Sequence, residues 1–566
     1  MRLSPSRLLP PAAALAAALL LRLAYPPFTG SDVAFFALAP LLLALRFATP
    51  RQGFRLGFLF GLAFRLTSLS WLVALKDNGG PFVLVVFGLL GLSAVTALFH
   101  ALFGWLVASV WTFTRRPLLP LPWLFRSVAW LSQALIWAGC EHLVGNVLSG
   151  FPWNPLAATQ VRNLPILATV ALGGAPLLSA VMVTFNAGVA SLVAHFIRNF
   201  VGQNEASSLD AGQGVRFRWC PRSLPLGIAV ILLLAVWWRG LDRVRALDRA
   251  SAAAPKFRIA LVHPDAACIF ERDDEAVAAA NEALLSFTEL ASATGPDLVV
   301  WPETSLPGYI PYDRDAAALV RDACAASGAP LVAGAVEYVP RFPGDDDGLI
   351  FNSALLFRDA PIIAGTYRKR HLVPFGEFIP LESKIPVLKR LAPTGFSCEP
   401  GLEPKLFEVE NRSASTNRAT VAFAPLICFE DVFPYLARDC AAAGAGALLS
   451  IANDAWFDGT SEPEQHLSQA ILRAVETGLP MIRATNRGVT AFILPSGRIL
   501  RRLGDGKGGG TPGFITAEIG VPTTPRLTPY ARHGDAFFAQ PCAGYVLALA
   551  IVIALRRRSR GALVRK

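Results

Sequence analysis

TVAFAPLICFED, residues 420–431, is the stretch that decides the fold of the C-terminal part of this chain. It is apolar and β-prone up to Ile427, reaches Cys428, and turns acidic at Glu430 and Asp431. A short apolar run bounded by polar residues predicts a buried strand. A strand that carries a thiol to its end is a common way to present a nucleophile. The stretch therefore predicts an α/β domain with Cys428 at a strand end.

Two other stretches supply the groups that such a thiol needs. DLVVWPETSLP, residues 297–307, ends an apolar strand on Glu303, and TYRKRHLVPFGEFIP, residues 366–380, carries Lys369. A thiol with a pKa of ~8.5 is mostly protonated at neutral pH. A carboxylate can take its proton, and an ammonium can stabilise both the thiolate and a developing oxyanion.

The composition excludes an ordinary soluble protein. The 566 residues are 53% hydrophobic and 16% charged, with a formal net charge of +11, and the mean hydropathy is +0.45. Basic residues that border membrane spans explain this charge better than nucleic-acid binding does, because the chain is so apolar. The eight cysteines form no C-x-x-C pair and no zinc-like spacing with histidine.

Apolar segments long enough to cross a bilayer fill both ends of the chain. We predict seven spans near the N-terminus and an eighth near the C-terminus: 8–25, 31–48, 54–75, 82–113, 122–146, 165–198, 223–241 and 538–556. Arginines concentrate before span 1 and in alternate loops after it, which places the N-terminus in the cytoplasm. Seven spans then put the following domain outside, and the basic tail after the eighth lies in the cytoplasm.

Four domains follow from this count. Residues 1–241 are predicted to form the membrane domain and 242–255 an interfacial linker, because the arginines around it fall on the outer side of span 7. Short β-prone runs alternate with Ala-rich helical runs over 256–522, which predicts an α/β catalytic domain. Residues 523–566 hold a linker, the eighth span and the basic tail.

The order Glu, Lys, Cys, each near a strand end, resembles the nitrilase superfamily. The fuller strings WPET, Y-x-K-x-x-LVPFGEF-x-P and ICFED resemble its membrane branch, the apolipoprotein N-acyltransferase family. NDAWF, QH and TNRGVTAFI within 453–493, and GFPWN at 150–154, match that family too. The resemblance covers nearly the whole chain, and it implies a nitrilase-like αββα sandwich beside a multi-span α-helical membrane bundle.

The resemblance also implies roles for the central residues. Glu303 is expected to be the general base and Cys428 the nucleophile that becomes a thioester. Lys369 and the backbone N–H of Phe429 are expected to hold the oxyanion. Two further acids, Glu377 and Glu430, are expected to orient Lys369 and balance the charge of the site. Taken alone, a buried cysteine such as Cys428 is usually an inert apolar side chain.

The implied reaction moves an acyl chain between two lipids. A phospholipid similar to phosphatidylethanolamine loads the cysteine, and the N-terminal amine of a diacylglyceryl apolipoprotein accepts the acyl group. Phe151, Trp153 and Trp456 are candidate substrate-binding residues, and the apolar, Pro-broken run 378–396 is a candidate lid. We expect no metal, cofactor or nucleic acid, a monomer, and a location in the bacterial inner membrane with the catalytic domain on the periplasmic side.

Two alternatives share these sequence features. A membrane-tethered amidase or nitrilase would carry the same three residues and transfer the acyl group to water. A non-enzymatic membrane protein with a degenerate domain would be expected to have lost Glu303, Lys369 or Cys428, and all three are present.

The chain also departs from the family pattern. The stretch 263–275, HPDAACIFERDDE, has no Trp, and 456–461 reads WFDGTS instead of WFGDS.

The arginine distribution generates the first testable prediction. Reporter fusions at residue 260 should be exported, and fusions at residue 566 should be cytoplasmic, because loop charge sets the orientation of the spans. Paired activity reporters, one active only outside the membrane and one only inside, measure this. A cytoplasmic signal at residue 260 would contradict both the topology and the lipoprotein role.

Overall fold

The computed structural model describes residues 5–115, 122–206, 224–267, 274–343, 345, 348–358, 361–380, 382, 384–385, 397–412, 418–504 and 511–564. The chain divides into two compact units. The first comprises Met1–Ser70, Phe87–Leu241 and Asp535–Lys566, and the second comprises Trp71–Val86 and Asp242–Gly534. The second unit is therefore larger than the predicted domain 256–522, since it also takes in the predicted linker and a segment after Ser70.

The first unit is built from apolar helices. Its helices are α1 Pro5–Arg22, α2 Ala34–Ala37, α3 Ala39–Phe47, α4 Pro50–Ser68, α5 Phe82–Thr114, α6 Pro122–Val144, α7 Leu164–Leu167, α8 Val170–Ala206, α9 Leu224–Ala253 and, after the second unit, α15 Ala539–Val564. The first residues of α5 and the last residues of α9 belong to the second unit. Among the described residues, four helices are long and apolar enough to span a membrane: Phe82–Thr114, Val170–Ile197, Leu224–Ala253 and Pro529–Arg556. A bent pair, Pro50–Ser68 with Ser70–Lys76, adds a fifth if it forms one span.

The structure shows how two of the predicted segments, 31–48 and 242–255, are built. The predicted span 31–48 is not one helix, because it breaks between α2 and α3 at Leu38. The Asn186 side chain replaces the lost helical bonds there: its Oδ1 accepts from the Leu38 N–H at 2.9 Å, and its Nδ2 donates to the Ala34 carbonyl at 3.0 Å. In the predicted linker 242–255, α9 continues without a break to Ala253.

The GFPWN loop is anchored inside the first unit by polar side chains from α4 and the end of α1. Arg65 donates to the carbonyl of Trp153 at 2.8 Å. The Tyr25 hydroxyl donates to the Asn154 carbonyl at 3.1 Å, and the Asn154 side chain donates to Ser68 at 2.9 Å. Buried backbone carbonyls need such partners where water is absent. The loop is therefore a built part of the helical core.

Within the described part of the second unit, the two sheets contain thirteen strands. These are β1 Lys256–His263, β2 Leu298–Val300, β3 Tyr309–Ile310, β4 Leu331–Val339, β5 Leu349–Phe357, β6 Ile363–Arg368, β7 Phe407–Glu410, β8 Thr420–Ile427, β9 Ala447–Asn453, β10 Met481–Asn486, β11 Thr490–Ile493, β12 Ile499–Leu503 and β13 Gly513–Gly520. One sheet has the order β13-β1-β2-β4-β5-β6, with β3 on β4, and the other has β12-β11-β10-β9-β8-β7.

Strand alternation explains how the sheets stack. Along β1, Ile259 and Leu261 point into a core shared with Phe423 and Ile427 of β8, so the two sheets pack face to face. Ala260 and Val262 point the other way and pack under helices. The helices of this unit are α10 Asp274–Ser292, α11 Arg314–Ser327, α12 Pro434–Ala442, α13 Glu462–Thr477 and α14 Pro529–His533. The result is an αββα sandwich in which the central parallel strands of both sheets end near the functional residues.

Glycines allow α4 and α5 to cross with their backbones in near contact. A Cβ added at Gly57 would lie 2.2 Å from the His100 carbonyl oxygen, and one at Gly53 would lie 2.4 Å from that of Gly104. Small residues at such crossings let backbones approach where packing, rather than the hydrophobic effect, drives helix association.

Gly57→Ala is therefore expected to destabilise the first unit. The new methyl group must push the α5 backbone aside, and overpacking of this kind costs about 1–3 kcal/mol. Thermal unfolding of the detergent-solubilised chain should shift down by several degrees. Gly88→Ala is the matched control, because no atom lies within 4 Å of its added Cβ, and it should unfold at the parent temperature or above. Equal behaviour of the two variants would contradict the close crossing.

Candidate active site

The nucleophile candidate lies at a strained turn directly after β8. Cys428 has a φ of +52° and begins a 3₁₀ turn, Cys428–Val432. A non-glycine residue in this region costs of order 1–3 kcal/mol and persists only when its surroundings enforce it. The Cys428 side chain is partly exposed, whereas Ile427 before it and Glu430 after it are buried. The turn thus places the partly exposed residue Cys428 at a strand end.

Glu430 fixes this turn to the other sheet. One carboxylate oxygen accepts from the backbone N–H of Ile427 at 2.7 Å, and the other accepts from the backbone N–H groups of Arg370 at 2.7 Å and His371 at 3.1 Å. The Tyr367 hydroxyl lies 2.9 and 2.8 Å from the two oxygens. Glu430 therefore positions the segment that follows Lys369, because it accepts hydrogen bonds from the backbone of that segment.

Lys369 follows β6 and lies between two carboxylates. Its Nζ is 3.3 Å from Glu303 Oε1 and 2.9 Å from Glu377 Oε1, and its side chain is only 1% exposed. Glu377 also accepts from the backbone N–H of Val373 at 2.8 Å. The structure thus brings Glu303, Lys369 and Glu377 into one buried cluster.

Asn352 on β5 completes the cluster, and the sequence reading did not single it out. Its Nδ2 donates to Glu303 Oε1 at 2.8 Å and to Glu377 Oε1 at 2.6 Å. Together with Lys369, it gives each of the two facing carboxylate oxygens two donors. An asparagine inside the apolar run LIFNSALLF was the available signal, since a polar side chain in a buried strand needs partners.

The charges of the cluster define its resting protonation state. Burial acts to lower the pKa of Lys369, but the carboxylates of Glu303 and Glu377 outweigh it and hold that pKa well above its usual value. Burial, followed by the negative charge of Glu303, raises the pKa of the Cys428 thiol, and Lys369 opposes this. The resting site therefore pairs a protonated thiol and an ammonium with a carboxylate.

His371 is neutral despite its place beside the cluster. Burial and the charge of Lys369 lower its pKa to about 4. Its Nδ1 lies 2.9 Å from the Tyr435 hydroxyl, and its ring lies against Phe433. The ring of Phe429 packs edge-on against Phe433 at 5.0 Å, which leaves the Phe429 backbone at the nucleophile turn. His371 thus has an ordinary hydrogen-bonding role.

Comparisons with known proteins cover both units. Residues 17–188 match the model of the apolipoprotein N-acyltransferase N-terminal domain, and 259–525 match the carbon-nitrogen hydrolase model. A solved amidase from Nesterenkonia sp. is similar at 21% identity over 50% of this chain and 95% of the amidase, with a TM-score of 0.33. The apolipoprotein N-acyltransferase of Geobacter metallireducens is 30% identical over 95% of this chain and 94% of its own length. That of Azotobacter vinelandii is 34% identical over 97% and 95%.

This chain belongs to the apolipoprotein N-acyltransferase family. The resemblance inferred from the sequence motifs is thereby confirmed, and so is the fold class, a helical membrane bundle with a nitrilase-like αββα sandwich. The chain is an enzyme of the acyltransferase class. Family membership and the apolar helices together assign it to the bacterial inner membrane.

The substrate-binding candidates of this family member do not share one environment. Trp153 is 2% exposed inside the first unit, so the structure does not place it at a surface. Phe151 is partly buried and stacks on it, with ring centroids 6.2 Å apart. Trp456 is half-buried in the second unit, and its carbonyl accepts from Asn78 at 2.9 Å. Most of the lid candidate 378–396, including all of 386–396, lies outside the described residues.

A buried ionic cluster lies behind the nucleophile turn. Among the described residues, Asp454, Glu462 and His466 have ligand-type atoms within 4.8 Å of one another, which is close enough to hold a metal ion. Arg483 bonds Asp431 and lies 3.2 Å from Asp454. Cationic side chains thus already neutralise these acids, so we assign the group as a charge network.

Asn352→Ala should impair this site without unfolding the domain. It removes a donor shared by Glu303 and Glu377, and hydrogen bonds to charged groups contribute about 1.5–3 kcal/mol. The rate at which Cys428 is acylated should fall at least ten-fold, as followed by intact-protein mass spectrometry. Ser353→Ala is the neighbouring control, since Ser353 donates to Glu337, outside the cluster, at 2.9 Å. An Asn352→Ala rate equal to that of Ser353→Ala would contradict the assignment.

Proposed function

We propose that this chain transfers an acyl chain from a phospholipid, through a thioester on Cys428, to the N-terminal amine of diacylglyceryl-cysteine in apolipoproteins. The observation that carries the proposal is the buried Lys369 ammonium between Glu303 and Glu377, beside a partly exposed thiol. The names of the relatives, apolipoprotein N-acyltransferases over nearly the full length, support the same activity.

In the first half-reaction Cys428 attacks the ester carbonyl of the phospholipid. Glu303 takes the thiol proton as the sulfur–carbon bond forms. The Lys369 ammonium and the N–H of Phe429 stabilise the oxyanion of the tetrahedral intermediate. The ester C–O bond then breaks, Glu303 returns the proton to the departing oxygen, and a lysophospholipid leaves.

In the second half-reaction the lipoprotein amine attacks the thioester. Glu303 takes a proton from the attacking nitrogen, and the same two donors stabilise the new oxyanion. The C–S bond breaks and the amide forms, while the proton on Glu303 passes to the Cys428 sulfur. Glu377, Glu430 and Asn352 act by positioning: the first and third contact Lys369 or Glu303, and the second fixes the turn.

The membrane setting follows from the substrates, since both carry lipid chains. We propose membrane domains at 1–241 and within 523–566, with the interfacial stretch 242–255 leading into the catalytic domain 256–522 on the periplasmic side. The arginine alternation of the predicted loops supports this orientation.

A phosphatidylethanolamine-like lipid is the proposed donor. One chain supplies Glu303, Lys369 and Cys428, so a monomer suffices, and the reaction needs no nucleic acid or cofactor. Phe151, Trp153 and Trp456 keep their proposed role in substrate binding, with Trp153 acting from beneath the surface.

The acyl-enzyme is the decisive species for this function. Purified chain incubated with phosphatidylethanolamine should gain one acyl mass on the peptide that contains Cys428, and Cys428→Ser should not, because it lacks the thiol. A diacylglyceryl-cysteine peptide should then discharge the enzyme and gain that mass.

The fate of the acyl group separates the proposal from its rival. Release as free fatty acid at the same rate with and without the peptide would indicate a hydrolase that uses water. Near-parental loading of Cys428→Ser, with the chain folded, would contradict the nucleophile.

A further inference from the structure

His466 lies directly behind the nucleophile candidate, and four oxygen atoms lie close to its ring nitrogens. It belongs to α13 and is 2% exposed. Its Nε2 is 3.3 Å from the carbonyl oxygen of Cys428 and 3.0 Å from Asp431 Oδ1. Its Nδ1 is 3.0 Å from Asp454 Oδ1 and 3.4 Å from Glu462 Oε1. No step of the proposed reaction uses this ring.

These contacts require an imidazolium. A neutral imidazole has one acceptor nitrogen, which would point its lone pair at an oxygen here, whereas the protonated ring donates from both nitrogens. Burial and Arg483 act to lower the pKa of His466, but Asp431 and Asp454 outweigh them and raise it to about 10. Burial, then Asp454, raises the pKa of Glu462 well above its usual value. Two carboxylates therefore balance His466 and Arg483.

The carbonyl that His466 contacts belongs to the peptide bond between Cys428 and Phe429, whose N–H is the proposed oxyanion donor. The bond from Cys428 to Phe429 is not among the cis bonds of the chain, so its C=O and N–H point in opposite directions. The carbonyl of Cys428 faces inward to His466. The N–H of Phe429 therefore points away from the ring, and the proposed function assigns this N–H to the oxyanion.

We propose that the His466 imidazolium is a positioning residue for the oxyanion hole, because it fixes the peptide plane between Cys428 and Phe429 through the carbonyl on its inner side. The inference rests on the proposed role of the Phe429 N–H. A positive charge at the carbonyl also draws electron density from the peptide, which strengthens its N–H as a donor. The positive φ of Cys428 is unfavourable, so the turn keeps this geometry only where surrounding contacts, such as the one from His466, enforce it.

A purely structural role predicts a different pattern of defects from a role in the oxyanion hole. Alkylation of Cys428 by iodoacetamide needs the thiol but builds no oxyanion. A fatty aldehyde adds reversibly to the thiol and leaves its oxygen where the ester oxyanion would lie. Acyl loading from phosphatidylethanolamine needs both features, so the three reactions together separate thiol presentation from oxyanion stabilisation.

His466→Gln, which keeps a donor group but no charge, is the test variant. We expect acyl loading to slow about 10- to 100-fold, less than the 10²–10³ typical for removal of an oxyanion donor. The aldehyde should dissociate more readily by a similar factor, and alkylation should be nearly unchanged. His263→Gln is the matched control, because His263 is also a buried histidine but contacts Thr490 at 3.1 Å, and it should behave as the parent.

Two outcomes would overturn the proposal: loading and aldehyde binding that match the parent, or an equal fall in all three reactions, which would mean that His466 only maintains the turn. If His466→Gln does not fold, Asp454→Asn replaces it, since it removes the charge that holds the imidazolium, and a folded Asp454→Asn without the split overturns the idea. The aldehyde and iodoacetamide arms use no phospholipid. They judge His466 even where the parent fails to load, a result that would overturn the proposed function alone.

Discussion

The ammonium of Lys369 is the group on which the site depends, because it is buried with almost no access to water. A charge in such a place is stable only with close partners, and removing one partner of a buried pair costs far more than the pair itself contributes. Glu303 and Glu377 supply those partners, and Asn352 links them from the neighbouring strand. Glu303 and Lys369, the base and the cation of the proposed mechanism, therefore hold each other in place because each neutralises the charge of the other. Neither requires a dedicated scaffold of its own.

A second set of charges does for the nucleophile what the first does for the base. Asp431, Asp454, His466 and Arg483 form a buried alternation of signs beneath the Cys428 turn. The first network combines Asn352 of β5 with residues that follow β2 and β6. The second combines residues that follow β8 and β9 of the other sheet with Arg483 of β10 and His466 of α13. Glu430 joins them, since it bonds the backbone on both sides. The site is thus an interface between two layers, with the reacting thiol between them.

The sequence predicted those features that lie within one stretch of chain. Strand ends at Glu303, Lys369 and Cys428 follow from apolar runs that stop at polar residues, and the family motifs then gave the sandwich and the enzyme class. Contacts between distant stretches were not visible. Asn352 reads as one polar residue in a strand, and His466 faces Cys428 from 38 positions further along the chain. The break at Leu38 was missed because Asn186, on another helix, compensates for it. The burial of Trp153 depends on contacts of the same kind, since Arg65 and Tyr25, which bond its loop, come from distant stretches of the chain.

The carboxylate of Glu430 has a consequence for how the enzyme is made. Its partners come from β6 of one sheet and from the end of β8 of the other, so it finds them only after the two layers have closed on each other. A half-assembled domain would possess the thiol, yet its turn would remain apart from Lys369 and Glu303, which follow strands of the other sheet. Under the proposed mechanism, newly synthesised chains therefore form no thioester until both layers of the domain have joined. Membrane phospholipid, the proposed acyl donor, would then load only chains whose two sheets have already closed on each other.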